Sequence, residues 1–227
     1  MTDVELQRSI DAVLGLLRPL KEDLREDLLS DQFSEKISKI SVYAESVGRS
    51  WGACRTALAD LEQIKDQDPE RHRQAREARL RDFEASLKSS LRFARINLDA
   101  LLVQALDILV RRPRSASKTD EQKRAQALQK TFDRLEDPAE AMLEHYRSSS
   151  DPLNKYLVAG PWGHEYLRRR KIDLEEYDRK LCEMLGCGDL AAAKVVLAYS
   201  DLKRALDALE AQAMKSLAEE TEEAAPA

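Results

Sequence analysis

The chain has 227 residues, 43% of them hydrophobic, 35% charged and only 5% aromatic, with 7 Gly and 7 Pro. Sheet folds need frequent turn residues and β-branched or aromatic strands, so all-β and α/β architectures are excluded, and the apolar fraction excludes wholesale disorder. The formal charge of −5 is divided unevenly: residues 1–70 carry −6, residues 71–130 carry +8 and residues 131–227 carry −7, a basic block expected to face either its acidic neighbours or an anionic partner.

Thr2-Asp3-Val4-Glu5 has the form of a capping box that opens a helix. Apolar residues then fall at Leu6, Ile10, Val13, Leu17, Leu20, Leu24 and Leu28, in the steps of three and four that make a heptad seam. Pro19 is expected to kink or split this helix near Arg18, and Ser30-Asp31 to end it and cap the next. The second helix, expected over Asp31–Asp66, carries Phe33, Ile37, Ile40, Ala44, Val47, Trp51, Cys54, Leu58 and Leu61 without a break in the alternation. Gly48 and Gly52 interrupt its propensity by about 1 kcal/mol each relative to Ala, which predicts close approach of a crossing helix. Asp68-Pro69-Glu70 restarts the chain with a cap, a first-turn proline and a first-turn acid. The third helix is expected to reach Pro113 along a stripe of Leu80, Phe83, Leu87, Leu91, Ala94, Leu98, Leu101, Ala105 and Ile108. Its first ten residues, with Arg71, Arg73, Arg76 and Arg79, have almost no apolar face and are expected to project into solvent or against a partner.

Thr119 and Gln122 form a further capping box ahead of Ala125, Leu128, Phe132 and Leu135, and Asp137-Pro138 restarts the chain with Glu140 three residues after the cap. Ser148–Pro152 reads as a loop, and the chain is expected to be irregular through Gly160-Pro161-Trp162-Gly163. Asp173 with Glu176 caps a helix of Leu174, Tyr177, Leu181 and Met184 that Gly186 ends. Asp189 is expected to cap a last long helix with Val195, Tyr199, Leu202, Leu206, Leu209, Ala213 and Leu217 on its stripe. These elements predict an all-α fold: an elongated antiparallel bundle of three long helices over 1–112 with coiled-coil-like heptad packing, plus a second set of shorter helices. A basic linker is expected at 113–118, the smaller helical region at 119–217 and a disordered acidic tail at 218–227. The last helix either completes a four-helix bundle with the first three or pairs with its copy in a second chain. No repeat recurs, so a solenoid is unsupported.

The motifs that carry common chemistries fail on residues. No GxxxxGK[ST] occurs, and Gly186-Cys-Gly188-Asp-Leu-Ala191 matches a dinucleotide loop in letters only, because a helix precedes it where a strand is required. Cys182 and Cys187 stand five apart, outside zinc-knuckle spacing, and no Glu stands three before His72, His145 or His164, which excludes a di-iron carboxylate bundle. His164-Glu165 begins a metalloprotease motif that Arg168 breaks, and no Arg stands four to six residues before a histidine as a helical ribonuclease would need. Glu175-x-x-Asp178 supplies one half of a helical pyrophosphohydrolase pair, but reads first as solvated acids of a first helical turn. No catalytic residue, metal ligand or cofactor is assigned. The three cysteines make no complete disulfide set, and the acidic Asp3 and Glu5 stand where a secretory leader is basic, so a reducing cytoplasmic setting is expected. Leu98–Val110, the most apolar run, falls short of the roughly 20 residues a membrane span needs, so no membrane partner is expected.

The function these features favour is a non-catalytic helical interaction protein: a scaffold, an adaptor or a subunit of a larger assembly. Its expected contacts are Arg71, Arg73, Arg76 and Arg79 on the projecting helix, together with Trp162 and His164 in the Gly160–Tyr166 cluster of uncommon residues, toward a protein partner or a second copy. The alternative is a helical subunit, as in a multi-subunit effector complex, that grips a DNA or RNA backbone through Arg111, Arg112, Arg114, Lys118, Arg168, Arg169, Arg170 and Lys171. Against it, no helix-turn-helix, zinc-finger or RNA-recognition signature is present. An enzymatic role rests on the Trp162–His164 loop alone.

Overall fold

The three- and four-residue apolar rhythm is realised as helix in the computed structural model, which describes residues 2–23, 30–63, 65, 67–114, 116–188 and 190–222. Among these residues there are nine helices and no strand: α1 (Thr2–Asp23), α2 (Ser30–Glu62), α3 (Pro69–Leu109), α4 (Lys118–Phe132), α5 (Pro138–Ser148), α6 (Pro152–Ala159), α7 (Pro161–Arg169), α8 (Leu174–Leu185) and α9 (Ala191–Glu222). No described helix is long and apolar enough to cross a membrane. The chain divides into two units, one of residues 1–98 and 201–227, the other of residues 99–200. The division falls inside α3 and inside α9, not in the 113–118 segment where composition suggested it.

In the first unit α1, α2, the Pro69–Leu98 part of α3 and the 201–222 part of α9 bury their stripes together. Leu6, Ile10, Val13, Leu17 and Leu20 of α1 are buried, as are Phe33 through Leu58 of the α2 seam, Leu80 through Leu98 of α3, and Leu202, Leu206, Leu209, Ala213 and Leu217 of α9. Each buried Leu, Ile, Val or Phe among them contributes about 1.5–3 kcal/mol on leaving water, which is why the apolar rhythm dictates the packing. Side-chain pairs fix the directions. Trp51 and Arg55, late in α2, bind Asp3 at the start of α1. Ser46 bonds Ser90 and Ser50 bonds Ser86 between α2 and α3, while Arg76 and Arg95 of α3 reach Glu220 and Asp207 of α9, respectively. Each of these three pairs of helices is therefore antiparallel, and the packing is compatible with a bundle. The 201–222 part of α9 lies in the same unit as α1, α2 and the Pro69–Leu98 part of α3, so its stripe is covered within the chain.

Several expectations are corrected here. Of the two outcomes expected at Pro19 the split does not occur, since α1 continues through it as one element; the carbonyl that loses its donor belongs to Gly15, and Leu17 and Leu20 hold the flanking turns in the core. Leu24 and Leu28 lie outside the described residues. Gly48 is a close approach, because a Cβ there would stand 2.8 Å from Ile10 Cδ1, but Gly52 faces open space. Helix α2 ends at Glu62, and its Leu61 is outside the core. The start of α3 is not wholly projecting: His72 is buried beside Glu62, and Arg76 is held by Glu220. Helix α9 runs to Glu222 across the first part of the expected disordered tail, because Arg76 binds both the backbone and the carboxylate of Glu220 and Thr221 bonds back to Leu217; residues 223–227 of that expected tail lie outside the described residues.

The second unit contains the end of α3, α4 through α8 and the start of α9. The cap of α4 is Ser117, accepting from Asp120 N, rather than Thr119, and Leu135 is exposed rather than on the seam. The stretch expected to be irregular forms α6 and α7. Asp151 caps the first and Gly160 precedes the second; a proline follows each, supplying the fixed φ that a first helical position favours. Asp137 and Asp173 cap α5 and α8 as read from sequence, and Gly186 ends α8 in the left-handed conformation, φ 61°. The expected cap Asp189 lies outside the described residues.

Candidate functional site

Gly160–Tyr166 positions its residues by close contact between α6 and α7. A Cβ at Gly163 would overlap the Val158 carbonyl and stand 2.8 Å from Met142 Cε, so the absence of a side chain there lets α7 pack against the end of α6. This turns His164 inward. His164 Nδ1 is 3.1 Å from the Gly160 carbonyl oxygen and Nε2 is 2.6 Å from Asp178 Oδ1. The two side chains are 3% and 2% exposed. Tyr177 packs its ring edge-on to the imidazole and donates its hydroxyl to the Val158 carbonyl. Burial raises the Asp178 carboxyl above the ordinary carboxylate range, with the His164 ring acting in the opposite direction.

The geometry fixes the protonation of this pair. A carbonyl oxygen can only accept, so Nδ1 carries a hydrogen. A contact of 2.6 Å between Nε2 and Oδ1 then needs a second proton between them, as imidazolium with carboxylate or as imidazole with carboxylic acid. Either way the pair is neutral overall, the form that a buried site favours. Neither group reaches solvent, so the arrangement holds a proton and offers no substrate a route to it. Glu175-x-x-Asp178 is thereby corrected: Asp178 is buried and paired, not a solvated first-turn acid. Trp162, half-buried, stacks on Tyr166 with ring centroids 5.5 Å apart, and Tyr166 bonds Asp133. Trp162 and His164 thus belong to the internal packing of the second unit.

Half of the predicted basic residues are paired with carboxylates. Arg168 binds Asp99, Tyr199 and Glu165, Arg169 binds Glu165, and Arg170 binds Asp133. Arg112 pairs with Glu121. Arg73 pairs with Glu70 and Glu77, and Arg76 is enclosed by Glu220. Arg71, Arg79, Arg111, Arg114, Lys118 and Lys171 are exposed and have no ion-pair partner among the described residues. Lys171 adopts the left-handed conformation at φ 59°. Among the described residues no three metal-ligating side chains gather.

Sequence reasoning missed an apolar group that faces solvent in the first unit. Phe93 and Ile96, one helical turn apart on α3, are 44% and 49% exposed. Tyr43 of α2 stacks on Phe93 with centroids 5.5 Å apart and the rings 22° from parallel. The signal was present in the sequence, since both α3 residues lie off the Leu91-Ala94-Leu98 stripe and so cannot enter the core. Comparison with protein-family models, with curated proteins and with solved structures found no match. Function is therefore read from geometry alone.

Proposed function

We propose that the protein is a non-catalytic helical interaction module, a scaffold, adaptor or subunit, whose contact surface is the outward α2/α3 face around Tyr43, Phe93 and Ile96. The observation that supports this reading is the exposure of two large apolar side chains one helical turn apart, Phe93 and Ile96, the first of them stacked on Tyr43. Such groups mark interaction surfaces when they are contiguous, whereas scattered ones need no explanation. In this reading the four helices of the first unit interlock their heptad stripes as coiled coils do. The stripes are then satisfied internally and contact with a partner falls to the opposite faces. The buried His164–Asp178 pair takes no part in chemistry.

The test is affinity capture with the folded protein and with a Phe93→Glu/Ile96→Glu variant whose helicity by circular dichroism is unchanged. The same partner, or self-association by light scattering, should be present with the natural sequence and weakened at least tenfold in the variant. Equal capture by both would remove the α2/α3 face from the reading. A second reading, binding of a nucleic-acid backbone, draws on Arg111, Arg114 and Lys118, which stand near one another in sequence without carboxylate partners. Binding to single- or double-stranded DNA or RNA at low salt, lost with Arg111→Ser/Arg114→Ser, would favour it.

A further inference from the structure

The end of α8 brings two of the three cysteines together. Gly186 N bonds the Glu183 carbonyl at 3.1 Å and Cys187 N bonds the Cys182 carbonyl at 3.3 Å, the paired bonds of a Schellman cap. The residues joined by the longer loop of that cap usually meet through apolar side chains; here both are thiols. Cys187 Sγ lies 3.6 Å from the Cys182 carbonyl oxygen. The backbone bond keeps the two residues adjacent across the cap, as a disulfide, which joins only nearby residues, requires. Both are free and buried, at 3% for Cys182 and 8% for Cys187.

We propose that Cys182 and Cys187 form a redox-active dithiol that closes to an intramolecular disulfide across the α8 cap by exchange with a small-molecule disulfide. The more accessible Cys187 sulfur, as thiolate, attacks one sulfur of the oxidant RS–SR, forming a mixed disulfide and expelling RS⁻. Cys182 then attacks the Cys187 sulfur, the internal S–S bond forms, and the second RS⁻ leaves. The protons of the two protein thiols pass to the expelled thiolates, so two protein thiols and RSSR give one protein disulfide and two RSH. The order follows from the chemistry of the pair. Burial pushes the Cys182 thiol up to about 12. Burial also raises Cys187, but the Cys182 side chain acts in the opposite direction, leaving Cys182 as the resolving thiol. Cys54, buried in the other unit with its thiol directed at the Arg79 carbonyl, is the internal control.

The experiment incubates the full folded chain with oxidised glutathione, unfolds it in an alkylating reagent and digests it with trypsin. Cleavage after Lys180 and Lys194 places both cysteines in the single peptide 181–194. That peptide should lose two hydrogens and take no alkyl group, while Cys54 is alkylated; dithiothreitol should restore both alkylation sites. Cys182→Ser should instead accumulate glutathione on Cys187, because the resolving thiol is gone. A natural chain in which both cysteines of the peptide are alkylated, or in which the mixed disulfide persists, would overturn the proposal. So would closure only after denaturation, since the cap geometry would then play no part.

Discussion

Replacing Asp178 with Asn should remove a loss of stability that the natural chain suffers as pH rises above the ordinary carboxylate range. In the native protein burial raises the Asp178 carboxyl, with His164, whose Nε2 is 2.6 Å from Oδ1, acting in the opposite direction. In the unfolded state that carboxyl releases its proton above about pH 3.9. A proton held more tightly by the folded form gives stability that is complete below the unfolded value and is lost as pH rises, until the native carboxyl itself lets go. The slope approaches about 1.4 kcal/mol per pH unit over the interval between the two. In Asp178→Asn that carboxyl is gone, and the amide can still meet the His164 ring. The loss attributable to this site should then disappear over the same interval. Urea titrations followed by circular dichroism at several pH values measure both curves, and their difference cancels the titrating groups outside the pair. The interval begins well below the range where buried Cys54, Cys182 and Cys187, all raised by burial, would add their own alkaline loss. Parallel curves for the two proteins would show that the Asp178 carboxyl holds no extra proton and would refute the reasoning.

Three glycines should respond differently to alanine, each read from urea midpoints. Gly163→Ala should destabilise by about 2–3 kcal/mol, because the added Cβ overlaps backbone at Val158 and meets Met142 with no room to relax. Gly52→Ala, facing open space on α2, should stabilise by about 0.5–1 kcal/mol through helix propensity alone. Gly48→Ala should change stability by less than about 0.5 kcal/mol, since the same gain is offset by moving the flexible end of Ile10.

The long helices were legible because their apolar residues recur at a spacing only one periodic structure can bury. The Leu6–Leu20, Phe33–Leu58 and Leu80–Leu98 stripes are all in the core. What periodicity could not convey was which helix covers which stripe, so α9 was left between two arrangements. Short helices were harder. Helices α6 and α7 have too few turns for a repeat to show, and their prolines read as breaks although each sits at a first helical position, where it favours a helix. The His164–Asp178 pair was invisible for a different reason. Its members are 14 residues apart on separate helices, and an acid four residues into α8 looks solvated until the packing of Gly163 shows which way α7 faces.

The basic middle block, +8 between two acidic segments, leaves open in the sequence whether it faces those neighbours or an external anion. In the folded chain Arg76 and Arg95 are turned onto Glu220, Asp207 and Glu210 of α9, Arg112 onto Glu121 and Arg124 onto Asp151. The acidic partners of α9 lie more than a hundred residues away in sequence, so no window along the chain could have paired them. Exposed ion pairs add little to stability, with a median near 0–1 kcal/mol, but they fix which faces of neighbouring helices meet, and like charges there would oppose the antiparallel pairing of α3 with α9. Part of the block therefore serves as internal register. That leaves Phe93 and Ile96, which no neighbouring helix covers with its stripe, as the stronger reason to look for a protein partner than the charge that first drew attention.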